Sequence, residues 1–163
     1  MSEHTDWVAV YRSSLYAWMQ AGDWLACSLD APEDGGDPLP VPEEGSLTLI
    51  TAWNPNSEER PREENEAANA RLLRALVAAG LPWTPAFGAS LPGVEPAWRE
   101  DGFALFGLRA EEAARWGRDW GQRAVVFLDR EGPALILCAE AKRIPCRAQR
   151  RPVPEDASQI LAE

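Results

Sequence analysis

Six residues of this chain have types and spacing that could do chemistry: Asn54, Asn56, Ser57, Asn65, Asn69 and Glu100. The first three close the run "LITAWNPNS", where an apolar stretch turns polar within one step. Asn65 and Asn69 stand one helical turn apart in the Ala- and Leu-rich run that follows. Neutral amides offer donors and acceptors together. Several of them at a strand end and a helix start suit a small polar or anionic ligand. Glu100, in "AWREDGF", could serve beside them as a general base. Each residue also has a plainer use. Asparagine ties down turns and satisfies free backbone groups in loops, and most glutamates sit on surfaces. The sequence leaves loop bracing and ligand binding both open.

Other chemistries lack their parts. The only histidine is His4, so a Ser-His-Asp or Cys-His mechanism has no positioned base. Cys27, Cys138 and Cys146 are odd in number and carry no CxxC spacing, which argues against a disulfide framework and a zinc site. They are expected to be reduced and unligated. No GxxxxGK or GxGxxG run is present, so no cofactor is expected. The net charge of −10 opposes phosphate binding by the body of the protein. The exception is "KRIPCRAQRR" at 142–151, which holds the one lysine, four arginines and no acid. It is expected to fold back on the acidic body, with contact to nucleic acid as the less favoured reading.

These residues need elements to place them. With 163 residues the chain fits one domain over 1–141 followed by a basic, then irregular, tail over 142–163. "TDWVAVYRSS" at 5–14 reads as a short helix, and "LYAWMQAGDWLACSL" as a hairpin turning at Ala21-Gly22-Asp23. The stretch 30–45, with four prolines and three glycines, reads as a solvated acidic loop. A strand at 46–53 precedes a helix at 63–79, which carries Glu63, Glu64 and Glu66 near its start and stops at Gly80. Strands at 83–90 and 102–108, a helix at 110–121 and a hairpin of 124–129 with 134–139 complete the series.

That order predicts an α+β fold: a mostly antiparallel sheet with two main helices on one face. Its centre would be a ferredoxin-like split β-α-β core, with an extra N-terminal hairpin and a C-terminal strand. On the longer helix, Asn65, Asn69, Leu72 and Leu76 fall on one arc facing the sheet. Leu72, Leu76, Trp116 and Trp120 are expected to be largely buried. Glu100 would precede a strand, and Gln122 would cap or brace the exit of the second helix. Trp53, Trp83 and Trp98 could line a stacking pocket, although core packing explains each more simply.

Taken together, "ITAWNPNS", Asn65, the Arg71-Leu72 region, "GLPWTPAFGAS", "WREDGFALFGL" and "WGQRAVVFLD" resemble the bacterial domain of unknown function 3293 family over about residues 47–129. The resemblance implies a small bacterial cytoplasmic protein without an assigned activity, and it carries no catalytic residue across. Asn54, Ser57, Asn65, Glu100 and Gln122 match the family's recurrent polar positions.

The favoured expectation is a small-ligand-binding domain with its site at the end of the 46–53 strand. A non-catalytic protein-interaction module is the alternative, and a nucleic-acid-associated protein using 142–151 comes third. No apolar run is long enough for a membrane span, and no secretory signal opens the chain, so the expected location is the cytoplasm.

Overall fold

The computed structural model describes residues 5–157. The elements in chain order are α1 (Trp7–Arg12), β1 (Ser14–Gln20), β2 (Asp23–Ser28), β3 (Leu47–Ile50), a single 3-10 turn (Pro55–Ser57), α2 (Arg62–Ala78), β4 (Trp83–Ser90), β5 (Arg99–Phe106), α3 (Ala110–Asp119), β6 (Ala124–Asp129), β7 (Gly132–Leu137), β8 (Lys142–Pro145) and β9 (Gln149–Arg150). The strands form one sheet in the order β8-β7-β6-β3-β5-β4-β1-β2-β9. Every strand pairing in it is antiparallel. This bears out an α+β fold with an antiparallel sheet.

Alternation along the strands explains the two apolar layers, because successive side chains point to opposite faces. Leu49, Ala104, Val126 and Leu135 share one cluster. Their chain neighbours Ile50, Phe103, Leu105, Val125, Phe127 and Ile136 share another. All four residues of the central strand β3 are buried, as a strand covered on both faces must be. The first cluster also gathers Trp18, Cys27 and Leu29 from one end of the sheet and packs Ile144 from the other end. The sheet therefore curls around this layer. Only residues 146–148 separate the edge strand β8 from β9 at the opposite edge, a short reach for any chain. Arg12 bridges the same gap by donating from Nη2 to the Pro145 carbonyl at 3.3 Å.

The second cluster lies beneath the two longer helices. Leu72 and Leu76 of α2 are fully buried in it, together with Ala113 and Ala114 of α3. Full burial of a leucine side chain contributes about 1.5–3 kcal/mol. The tryptophans of α3 differ from expectation, since Trp116 and Trp120 are only partly buried. The cause is Gly117 between them. A Cβ there would stand 2.5 Å from Cys138 Sγ and 2.9 Å from Val125 Cγ1. The helix thus rests on the sheet through small residues, and its large rings are displaced to the flanks. Trp83 and Trp98 also depart from core packing, with exposures of 37% and 40%.

Several boundaries moved. The strand expected at 46–53 ends at Ile50, because Thr51 turns to donate its hydroxyl to the Asp101 carbonyl. The strand expected at 102–108 begins at Arg99, so Glu100 lies inside a strand and not before one. The basic stretch expected to be irregular supplies β8 and β9. Arg143 grips Asp129 with two bonds, at 2.8 and 3.1 Å, and Arg151 donates to Ser28 Oγ at 2.9 Å. The 30–45 loop is mostly exposed, yet its Leu39 packs on the inner cluster. The part of the tail at 158–163 and His4 lie outside the described residues.

Candidate functional site

The antiparallel order brings the C-terminal end of β3, the N-terminal ends of β5 and β6, and the N-terminal end of β1 to the same end of the sheet. The loop after β3 leaves the sheet there, and its backbone is unusual. Asn54, Asn56 and Ser57 all have φ between 47° and 60°, the left-handed region in which asparagine is the best tolerated residue after glycine. Gly121, at the exit of α3, is required beside it. Its φ is +74°, and a Cβ there would meet Pro55 Cβ at 2.5 Å. The Asn56 N–H donates to the Gly121 carbonyl at 2.6 Å.

Asparagine side chains hold this loop. The Asn54 N–H donates to Asn65 Oδ1 at 2.9 Å. Asn65 Nδ2 donates back to Asn54 Oδ1 at 3.0 Å and to the Arg60 carbonyl at 3.2 Å. Asn54 Oδ1 also accepts the Arg60 N–H at 2.9 Å. One turn further along α2, Asn69 accepts the Ala52 N–H at 2.9 Å and donates to the Asp101 carbonyl at 2.7 Å, tying the end of β3 to the start of β5. These bonds answer why amides head the apolar stripe of α2: they replace the sheet ladder that β3 abandons at Ile50. The frame leaves one amide group aimed elsewhere. Asn54 Nδ2 donates to Glu100 Oε2 at 3.1 Å.

A cavity of about 800 Å³ opens at this place. Asn54, Ser57, Asn65 and Glu100 line it, whereas Asn56 and Asn69 do not. Its room follows from glycine. The cross-strand partner of Glu100 is Gly88 in β4, where a Cβ would meet nothing closer than the Tyr16 ring at 3.6 Å. Gly102, two residues beyond Glu100 in β5, is glycine for another reason, since a Cβ there would fall on the Ile50 carbonyl. Burial raises the Glu100 carboxyl above the ordinary glutamate value, and the Asn54 amide pulls it only partly back. No cation pairs with Glu100 among the described residues.

Four contributors escaped the sequence reading. Tyr11 and Trp7, from α1, line the cavity with Arg123 and Gly88. Burial first, and then the charge of Glu100, push the Tyr11 phenol up to about 12, while Arg123 acts on it in the opposite direction. Arg123 donates from Nε to Ser57 Oγ at 2.7 Å and from Nη2 to the Asn56 carbonyl at 3.3 Å, and its guanidinium stacks 4.7 Å from the Trp7 ring centroid. The strand order carried a signal for Arg123. A residue just before β6 must stand at the same end of the sheet as a residue just after β3. Gln122 braces as expected, donating from Nε2 to the Trp53 and Trp120 carbonyls at 3.3 Å. The Trp53 indole N–H is buried and has no partner among the described residues. No group of three or more His, Cys, Asp or Glu side chains is placed to hold a metal among the described residues.

The class these features define is an α+β domain whose curled antiparallel sheet carries, at one end, a cavity with a buried carboxyl held by a framed amide. A family model described as protein of unknown function (DUF3293) matches residues 50–125, just under half of the chain. The resemblance read in the sequence therefore stands. The matched stretch runs from the end of β3 to the start of β6 and includes every sequence-derived site residue. No curated protein and no solved structure matches the chain. Among the described residues no helix is long and apolar enough to cross a membrane.

Proposed function

We propose that this protein is a small-ligand-binding domain whose recognition group is Glu100. The carrying observation is a carboxyl that is desolvated, has no cation partner among the described residues and faces a cavity of ligand size. Pockets for small molecules generally measure about 300–1,000 Å³ and place a few polar groups among apolar walls. Desolvating a carboxyl is unfavourable unless something pairs with it, and a ligand N–H or ammonium would do so. In this reading the asparagines act one step back from the ligand: Asn65 orients Asn54, and Asn54 orients Glu100.

The fold reading that accompanies it is a ferredoxin-like split β-α-β core with both helices on one face. The run β6-β3-β5-β4 and the shared apolar layer under α2 and α3 support it. The hairpin β1–β2 and the strands β7 to β9 would then be additions that curl the sheet. The compartment proposed is the bacterial cytoplasm, which suits three free cysteines. A nucleic-acid role for 142–151 is weighed against by the contacts of Arg143 and Arg151 with the protein's own Asp129 and Asp30.

Thermal melts against a panel of soluble metabolites test the reading, with Gly88→Val as the blocking variant. Gly88 lines the cavity, and a Cβ there meets nothing closer than the Tyr16 ring at 3.6 Å, so valine should fill space without breaking the strand. A ligand at 100 times its dissociation constant stabilises the native state by about 2.7 kcal/mol. The expected result is a ligand that raises the melting temperature of the wild type and leaves Gly88→Val unmoved. A panel without any such compound, or equal responses from both proteins, would reject it.

A further inference from the structure

Most of the charged side chains around the cavity are already neutralised. Arg60 pairs with Glu58, Arg62 with Glu66, and Arg99 with Asp101 and Asp156. Three are left without an ion pair among the described residues: Glu59, which is exposed, and the opposite charges Glu100 and Arg123. Glu100 has only the Asn54 amide. Arg123 is fixed by Ser57 Oγ, the Asn56 carbonyl and the Trp7 ring, and no carboxylate reaches it among the described residues. Glu100 and Arg123 line one cavity without pairing, and Tyr11 and Trp7 line it with them. The backbone N–H groups of the 51–60 loop offer an anion little. Those of Ala52, Trp53, Asn54, Asn56, Ser57, Glu58 and Arg60 are all engaged within the protein. The Arg123 guanidinium is the cation at this cavity without a carboxylate partner among the described residues, and it is the group suited to an acid.

We propose that the ligand is bipolar, with an N–H or ammonium group against Glu100, an acid group on Arg123, and a flat or apolar middle along Trp7 and Tyr11. This rests on the cavity being a ligand site and goes on to name the ligand's chemistry. Two sources share that chemistry. One is a zwitterionic aromatic amino acid. The other is a nucleoside monophosphate, with the N–H edge of its base inward and its phosphate outward. A carboxylate or a phosphate is matched by the planar fork of arginine, which presents two parallel donors.

Calorimetric titration of the wild-type protein separates the outcomes. One arm uses L-tryptophan, with tryptamine lacking the acid and indole-3-propionate lacking the amine. The other uses adenosine and guanosine monophosphates against their nucleosides. The expected result is that one bipolar parent binds and that its one-ended relatives are weaker by about tenfold or more, the usual range for losing a charge-assisted hydrogen bond. Glu100→Gln and Arg123→Gln should each weaken the parent by a similar factor, and Arg123→Lys should restore part of it. A one-ended relative that binds as well as its parent would overturn the proposal, as would a parent indifferent to Arg123→Gln. Failure of every compound in both arms would overturn it too. If another compound still stabilises the wild type but not Gly88→Val, the ligand site stands and only its bipolar character falls. If no compound does, both fall together. Far-ultraviolet spectra and melts of each variant establish that it is folded before its affinity is read.

Discussion

Asn54 and Asn65 clasp each other through two reciprocal hydrogen bonds, Asn54 N–H to Asn65 Oδ1 at 2.9 Å and Asn65 Nδ2 to Asn54 Oδ1 at 3.0 Å. Asn65 is buried, and both ends of its amide are engaged with the loop. Leucine has a similar size but would orphan the Asn54 N–H and the Arg60 carbonyl. Asn65→Leu is therefore expected to destabilise the protein by about 1–3 kcal/mol, the usual range for leaving buried polar groups unpaired. Urea denaturation checks it, and an unchanged midpoint would mean that the clasp does not hold the loop.

Glu100 predicts a dependence on pH. Its carboxyl is raised by burial, so the folded protein keeps this proton after the unfolded chain has released it. Stability contributed by the neutral form is complete below the ordinary value of 4.5 and is lost as pH rises through the raised folded value. Tyr11 and Tyr16 sense the same carboxylate, but both phenols are pushed upward and stay neutral throughout this window. Glu100→Gln keeps an acceptor for Asn54 and removes the titration. Its melting temperature relative to the wild type should rise between pH 4 and pH 8, and a falling difference would contradict the assignment.

The sequence disclosed the frame of the site better than its chemistry. Asn65, Asn69, Leu72 and Leu76 share an arc by helical spacing alone, and that arc faces the sheet as expected. The alternation in β6 and the Ala21-Gly22 turn of the first hairpin were equally readable, because both depend on neighbours in sequence. Two things depended on distant partners. The curl of the sheet gathers Trp18 and Leu29 into one apolar layer with Leu135 and Ile144, residues more than a hundred positions further on, and such gathering leaves no local period. Arg123 and Tyr11 join the cavity for the same reason: one precedes β6, the other lies in α1, and only the strand order unites them. β8 was missed because its isolated Pro145 and its high charge resemble a loop, whereas an edge strand tolerates both.

Gly117 sets the distance between α3 and the sheet. Alanine would favour the helix by up to about 1 kcal/mol. Its methyl would also press on Cys138 Sγ and Val125, at 2.5 and 2.9 Å. Overpacking of this kind costs about 1–3 kcal/mol, so Gly117→Ala should lower the melting temperature despite its better propensity. Adding Cys138→Ala removes the sulfur that is struck. The double variant is expected to recover part of the loss, and additive effects of the two changes would show that the contact is not the cause.

The three cysteines should be distinguishable by rate. Cys27 and Cys138 are buried, and burial pushes their thiols up to about 12 and about 11. The thiolate is the reactive form, so neither can attack a disulfide reagent while the protein is folded near pH 8. Cys146 lies between β8 and β9, is only partly buried, and donates weakly from Sγ to the Ile144 carbonyl at 3.4 Å. Reaction of the native protein with an aromatic disulfide should release one equivalent quickly and the other two only after denaturant is added. Cys146→Ser should abolish the fast phase and leave the slow one. Two fast equivalents, the second lost on Cys27→Ser, would show that β9 parts from β2, where Cys27 pairs with Arg150, and three would show that Cys138 is open as well.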